Sequence, residues 1–298
     1  MSELSPTQRA LVDSLSRRLA EIPGVTAVVL GGSFARGAAT ADSDIDLGVV
    51  YREAAPFALE PLRALAAEVN DAPAPVVTRF YEWGPWVNGG AWLTIGGQRV
   101  DFLYRSIEHL ERAIADAHAG KFEVHWGQQP PFGYLSATVL GELAICRPLF
   151  DPSGVVAELK RRVAPYPEAL RRGLVQTQLW ACEFALESFA PKFVQRGDVL
   201  HTAGTLARVA RQLALVLFAL NRRYLLSDKT ALAEIARFEL APPEFGPRVT
   251  RALAQLGESP AELARAVDAL GALVAETVDR CGALYQRPFP RLSPAKRD

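Results

Sequence analysis

Few of this chain's 298 residues are of the kinds that build redox or metal chemistry: it has three cysteines, four histidines and one methionine. Cys146, Cys182 and Cys281 are far apart and odd in number. That excludes a disulfide framework and a metal clip of close cysteines, and leaves buried thiols as the expectation. His109, His118, His125 and His201 show no i,i+4 pairing and no neighbouring cysteine, so they offer no zinc site. An excess of charge of one sign is also lacking. The 33 lysines and arginines balance 33 aspartates and glutamates, which argues against nucleic acid as a partner and against an anionic membrane. The longest apolar run, 213–220, is far short of the roughly 20 residues a bilayer crossing needs. The stretch "MSELSPTQRALVDSLSRRL" has no apolar signal core, so a cytoplasmic protein without membrane contact is expected.

What is present falls into two patterns. Ser5-Pro6 opens an amphipathic helix with Leu11, Leu15 and Leu19 on one face, and Pro23-Gly24 stops it. "VTAVVL" (25–30) and "IDLGVV" (45–50) are β-branched apolar runs bounded by turn residues, the pattern of buried strands. A helix is expected over 58–69. "AWLTI" and "RVDFLYR" flank Gly96-Gly97 as a tight hairpin, and a further helix follows at about 106–119. From about Pro165 the periodicity is helical only. Leu206, Val209, Leu213, Leu217 and Leu220 form one stripe, and Ser259-Pro260-Ala261-Glu262 has the form of a capping box. The fold class is therefore α+β: a domain with a small mixed sheet over 1–154, then a helical bundle over 155–298, divided at the turn-rich "FDPSG" (150–154). The tail "RPFPRLSPAKRD" reads as extended and partly disordered.

One stretch, "VVLGGSFARGAATADSDIDLGVV" (28–50), carries chemistry. Asp44 and Asp46 lie two apart, on one face of a strand and roughly 7 Å from each other. Two partly desolvated carboxylates raise each other's pKa, and a bound cation removes that cost. Carboxylate oxygens suit Mg²⁺, the usual aid to phosphoryl and nucleotidyl transfer. Gly31-Gly32-Ser33 follows a strand and opens a short helix, so bare backbone N–H groups and a hydroxyl face outward to an anion, with no Cβ at the glycines to hold phosphate away. Rival motifs fail on residues. A nucleophile elbow needs glycine where Ala35 stands, and a P-loop needs an absent Gly-Lys-Ser/Thr ending.

Gly32-Ser33 followed by Asp44-Ile45-Asp46 resembles the signature of the nucleotidyltransferase superfamily related to DNA polymerase beta. The "SDIDL" segment is most similar to the aminoglycoside and lincosamide antibiotic nucleotidyltransferases. The resemblance implies transfer of a nucleoside monophosphate, AMP from ATP for preference, to an acceptor hydroxyl on a small molecule. It implies that Gly31, Gly32 and Ser33 hold the triphosphate with Arg36 and Ser43 beside them, and that Asp44 and Asp46 bind Mg²⁺. Asp101, in "RVDFLYR", is implied as a third ligand or as the general base, with the active site in the cleft between the domains. A regulatory enzyme acting on a protein or tRNA, as in antitoxins, and a helical-domain ribonuclease fusion remain open, as does a homodimer.

The helical half holds further candidates. In "LNRRYLLSDK" (220–229) the resemblance implies that Lys229 contacts phosphate and Tyr224 stacks on the base; the plain alternative is a set of cations answering a helix dipole. "RGDVLH" (196–201) is either an Arg-x4-His ribonuclease pattern or, preferred, a helix entry begun by Gly197 and Asp198. Glu183 and Glu187, one turn apart among aromatics, either line an acceptor pocket or sit on a solvated face. A tryptophan of "YEWGPWVNGGAWL" could stack on a substrate, but the sequence does not select one.

Overall fold

The computed structural model describes residues 4–289. The chain forms two compact units, one of residues up to 116 together with 123–165, the other of 117–122 together with 166 onward.

In the first unit, α1 (Pro6–Ala20) starts at the capping box of Ser5 and Gln8. There follow β1 (Val25–Leu30), α2 (Gly32–Arg36), β2 (Ile45–Tyr51), α3 (Leu59–Val69), β3 (Val76–Val77), β4 (Gly90–Ile95), β5 (Gln98–Ser106) and α4 (Ile107–His118). Beyond them lie a small pair, β6 (Val124–His125) and β7 (Tyr134–Leu135), then α5 (Thr138–Ile145), β8 (Arg147–Phe150) and α6 (Val155–Val163). The main sheet has the order β3-β4-β5-β2-β1-β8, with β2 and β5 parallel and the other neighbours antiparallel. Gly96 and Gly97 both take positive φ, which is the requirement of the tight hairpin joining β4 to β5.

Alternation along the strands decides which face is core. Ile45, Leu47 and Val49 of β2, Val100, Phe102 and Tyr104 of β5, and Ala91 and Leu93 of β4 are all buried, and they share one core with Val12, Leu15 and Leu19 of α1 and Leu62 and Leu65 of α3. Tyr51, Phe57, Phe80 and Tyr104 close its end edge to face. Residues at odd positions of β5 and even positions of β2 therefore point to the opposite face, where the acids are.

The passage between units falls at 165/166, beyond the turn at 150–154 where the sequence pattern breaks. Lys160 explains the difference. Its ammonium donates to the carbonyls of Leu143, Ala144 and Cys146 at 3.2, 2.8 and 2.5 Å, so α6 caps the C-terminus of α5 and stays with the sheet unit.

The second unit comprises α7 (Glu168–Phe184), α8 (Ala190–Gln195), α9 (Val199–Leu220), α10 (Ala231–Ile235), α11 (Phe245–Ala254) and α12 (Pro260–Cys281). The expected capping box at Ser259 and Glu262 is formed. After α7 the chain widens into a π-turn, Ala185–Phe189. Pro191 accounts for it: proline lacks an N–H and its ring crowds the carbonyl one turn back, which a wider turn relieves. By length and composition α9 could cross a membrane, yet 67% of its apolar window is buried inside the unit, as in a core helix. The three cysteines are buried free thiols. Of the tail expected to be loose, 290–298 lies outside the described residues, whereas Arg287 is held by ion pairs to Glu183 and Glu187.

Candidate active site

The two strands that carry the acids lie side by side in parallel register. Asp46 of β2 pairs with Asp101 of β5, and Asp101 in turn is opposite Trp92 of β4, which is opposite Val76 of β3. Directly paired residues of neighbouring strands point to the same face, so these four side chains form one row about 4.8 Å per step. At the other end the row meets the glycine turn. Gly31 N–H donates to the Asp46 carbonyl at 2.8 Å, and Gly32 adopts φ +57° directly against the Asp46 side chain. A Cβ at Gly32 would collide with Asp46 Oδ2, and the left-handed backbone there already favours glycine.

Burial and crowding set the electrostatics. Asp46 is pushed up to about 7, chiefly by burial and then by the carboxylates of Asp101, Glu142 and Asp44. Asp101 is pushed up to about 6, again first by burial and then by Asp44. Mutual repulsion is thus present, as the spacing of the acids suggests, but desolvation outweighs it. Asp44 relieves its own charge by pairing with Arg99 Nε at 2.5 Å. Its Oδ1 nevertheless accepts no aligned hydrogen bond, because the Arg99 N–H is not directed at it. Among the described residues, no group of three or more His, Cys, Asp or Glu is arranged to hold a metal ion. Of the expected ligands, Asp46 and Asp101 stand side by side in the row, while Asp44, just before β2, is turned to Arg99.

Other expected contacts are placed as follows. Ser33 lies in the first turn of α2, whose cap Gly31 provides no side chain, and Arg147 Nε secures this helix through the Ala35 carbonyl at 3.2 Å. Arg36 ends α2, and Gly37 closes it in the left-handed conformation. Ser43 is used for the loop itself: its hydroxyl accepts from Thr40 N–H at 2.8 Å and its carbonyl from Gln98 Nε2 at 3.1 Å. Two residues escaped the sequence reading. Arg105 lies on the Asp101 face of β5, two alternations further along, and makes a two-nitrogen contact to Glu142 Oε2 of α5 at 2.6 and 3.1 Å. Strand alternation could have flagged Arg105; nothing local in sequence ties Glu142 to Asp46.

Residues 12–118 match the family model of a nucleotidyltransferase domain. The domain is of the transferase type, and it contains the whole row from Gly31 to Asp101. Residues 135–229 match a second model, a domain of unknown function (DUF4037). A nucleotidyltransferase-like protein from Exiguobacterium sibiricum 255-15, known as a crystal structure, aligns over 93% of this chain and 76% of its own, at 14% identity and a TM-score of 0.42. No curated protein matches the chain.

Outside the nucleotidyltransferase domain, the helical unit holds the remaining candidates. Tyr224 packs its ring on Tyr166 at 4.7 Å, so one of its faces is taken within the unit, and burial pushes its phenol up. Lys229 lies in the turn before α10, beside Asp228, which pairs with Arg211 of α9 at 2.8 Å. Glu183 is buried and Glu187 half-buried, and both carboxylates are taken by a cation of the chain itself: Arg287 binds them at 2.9 and 2.5 Å, and the Tyr285 hydroxyl donates to Glu183. Of the two readings of "RGDVLH", the helix entry is the one seen. Gly197 takes φ +63°, and Asp198 caps α9 by accepting from His201 N–H at 3.0 Å and contacting its ring at 2.9 Å.

Proposed function

We propose that the protein transfers a nucleoside monophosphate, preferably AMP from ATP, to a hydroxyl of a small-molecule acceptor of the antibiotic type, with Mg²⁺ as cofactor. The observation that carries the proposal is the register of Asp46 with Asp101, with Gly32 pressed against Asp46 at the end of the row. The donor set suits a hard cation: Asp46 is a desolvated carboxylate and Asp44 keeps a buried oxygen without an aligned donor. Asp44, Asp46 and Asp101 would hold it once Asp44 gives up Arg99, and the cation would supply neutralisation of phosphate charge.

The chain's own groups do the rest. The Gly31-Gly32 backbone approaches a triphosphate closely, and the first N–H groups of α2 lack intrahelical partners and can donate to it. In the reaction the acceptor oxygen bonds to the α-phosphorus as the bond to the bridging oxygen breaks. Pyrophosphate leaves with the electron pair, and the hydroxyl proton passes to a carboxylate of the row. Such transfers proceed with attacking and leaving oxygens in line. Incubation of the purified protein with Mg²⁺ and labelled ATP, GTP, CTP or UTP against an aminoglycoside, a lincosamide, tRNA and total cellular protein tests the reading. Label should move to a small molecule, and Asp46→Asn with Asp101→Asn should abolish it. Transfer that survives both substitutions would sink the mechanism.

A further inference from the structure

Trp92 is out of place for a strand residue of its size. Its neighbours Ala91 and Leu93 are buried in the core, while the indole lies on the opposite face, 40% exposed. Single exposed apolar side chains are ordinary. This one is continuous with exposed Val76 on one side and with Asp101 on the other. It is also held in place. The ring of Trp83 lies on it, with centroids 3.6 Å apart and planes tilted by 45°. Trp83 is fixed in turn: Gln128 Nε2 donates to its carbonyl at 2.5 Å, and Gly84, at φ +109°, turns the chain directly after it. The result is a supported aromatic ledge one strand-width from Asp101.

The order along the row says which substrate reaches it. Resting on the function proposed above, the triphosphate occupies the glycine end, beyond Asp46. The leaving pyrophosphate then points toward Gly31-Gly32, and the in-line requirement brings the attacking hydroxyl from the Asp101 side. The body of a molecule whose hydroxyl reaches Asp101 lies on the next strand, where Trp92 stands. We infer that Trp92, backed by Trp83, is the specificity-determining platform for the acceptor and takes the apolar face of a hydroxylated ring. A ring is favoured over an extended chain because Trp83 backs the indole of Trp92 and holds it as a fixed face bounded by the turn at Gly84, and because aromatic faces gain most from flat partners.

The test compares wild type, Trp92→Phe and Trp92→Ala with the same panel of acceptors, measuring KM for acceptor and for ATP separately. Melting temperatures first verify that the exposed site tolerates the changes. For a ring-bearing acceptor, Trp92→Ala should raise the acceptor KM by about 10- to 100-fold, Trp92→Phe should restore most of it, and the KM for ATP should stay within twofold. A rise in the ATP KM instead would make the ledge a base-stacking site and overturn the inference. So would an unchanged acceptor KM, transfer confined to tRNA or protein, or failure of wild type to use any acceptor while it binds MgATP. If wild type neither binds MgATP nor releases pyrophosphate, the failure is that of the proposed function itself, and the platform falls with it.

Discussion

Asp46→Asn should stabilise the ligand-free protein at neutral pH while removing its activity. Burial, reinforced by Asp101, Glu142 and Asp44, holds Asp46 at about 7 against 3.8 for the ordinary group. Between those values the native state keeps a proton that the unfolded chain releases, so the contribution of Asp46 to stability falls as pH rises through the window. At about 1.36 kcal/mol per unit, the whole three-unit shift has a ceiling of roughly 4 kcal/mol, and the part between pH 5 and 7 a ceiling of about 2.7 kcal/mol. Local relaxation reduces both figures, and a gap of about 1 kcal/mol or more should survive, which is some 2–4 °C for a unit of this size. Asparagine has no charge to bury, so the melting temperature of the variant should exceed that of wild type by a margin that widens from pH 5 to 7 and levels off above. His109, whose buried imidazole is lowered to about 4, weakens both proteins alike as pH falls and cancels in the comparison. Adding Mg²⁺ at pH 8 should raise wild type and leave the variant unmoved. Calorimetry from pH 5 to 8 decides the matter: a margin that is flat or of opposite sign would refute the electrostatic account of the row.

Three further outcomes follow from other parts of the molecule. Gly32→Ala forces a left-handed alanine and sets a methyl against Asp46 Oδ2, so urea titration should show a loss of roughly 1–3 kcal/mol. Adding Asp46→Ala should recover the part due to the clash, and strict additivity of the two single-variant effects would contradict the contact. Arg287→Ala strips the buried Glu183 of its cation and should cost the helical unit roughly 2–4 kcal/mol, with Glu183→Gln in the same chain returning most of it. Equal stability of Arg287→Ala and wild type would mean that the pair is not formed in solution. Ser259→Ala opens the capping box of α12 and should lower stability by about 1 kcal/mol in thermal melts, with Ser259→Asp close to neutral.

Much of the site is local in the chain, and that part was legible. Gly32, Ser33, Asp44 and Asp46 fall within 15 residues, in a strand-turn-strand context that periodicity and turn chemistry reveal, and the strands at 25–30 and 45–51 form where the apolar runs lie. Asp101 is legible through the resemblance and not through spacing, since it stands 55 residues from Asp46 in the chain and comes level with it because β5 is the parallel neighbour of β2. The helical half was less legible because its candidates depended on distant partners. Glu183 and Glu187 look like a free acidic pair until Arg287, about 100 residues on, closes over them.

By itself the sequence determined the two patterns, the caps, the hairpin and the motif of glycines and acids, all of which depend on residues a few positions apart. The tertiary structure alone decided the rest. Strand order brought Asp101 beside Asp46 and Trp92 beside Asp101, and α5 carried Glu142 to Arg105. Desolvation, more than the two-residue spacing, raised the pKa of Asp46. Burial is a property of everything packed around a group, and no stretch of sequence contains it.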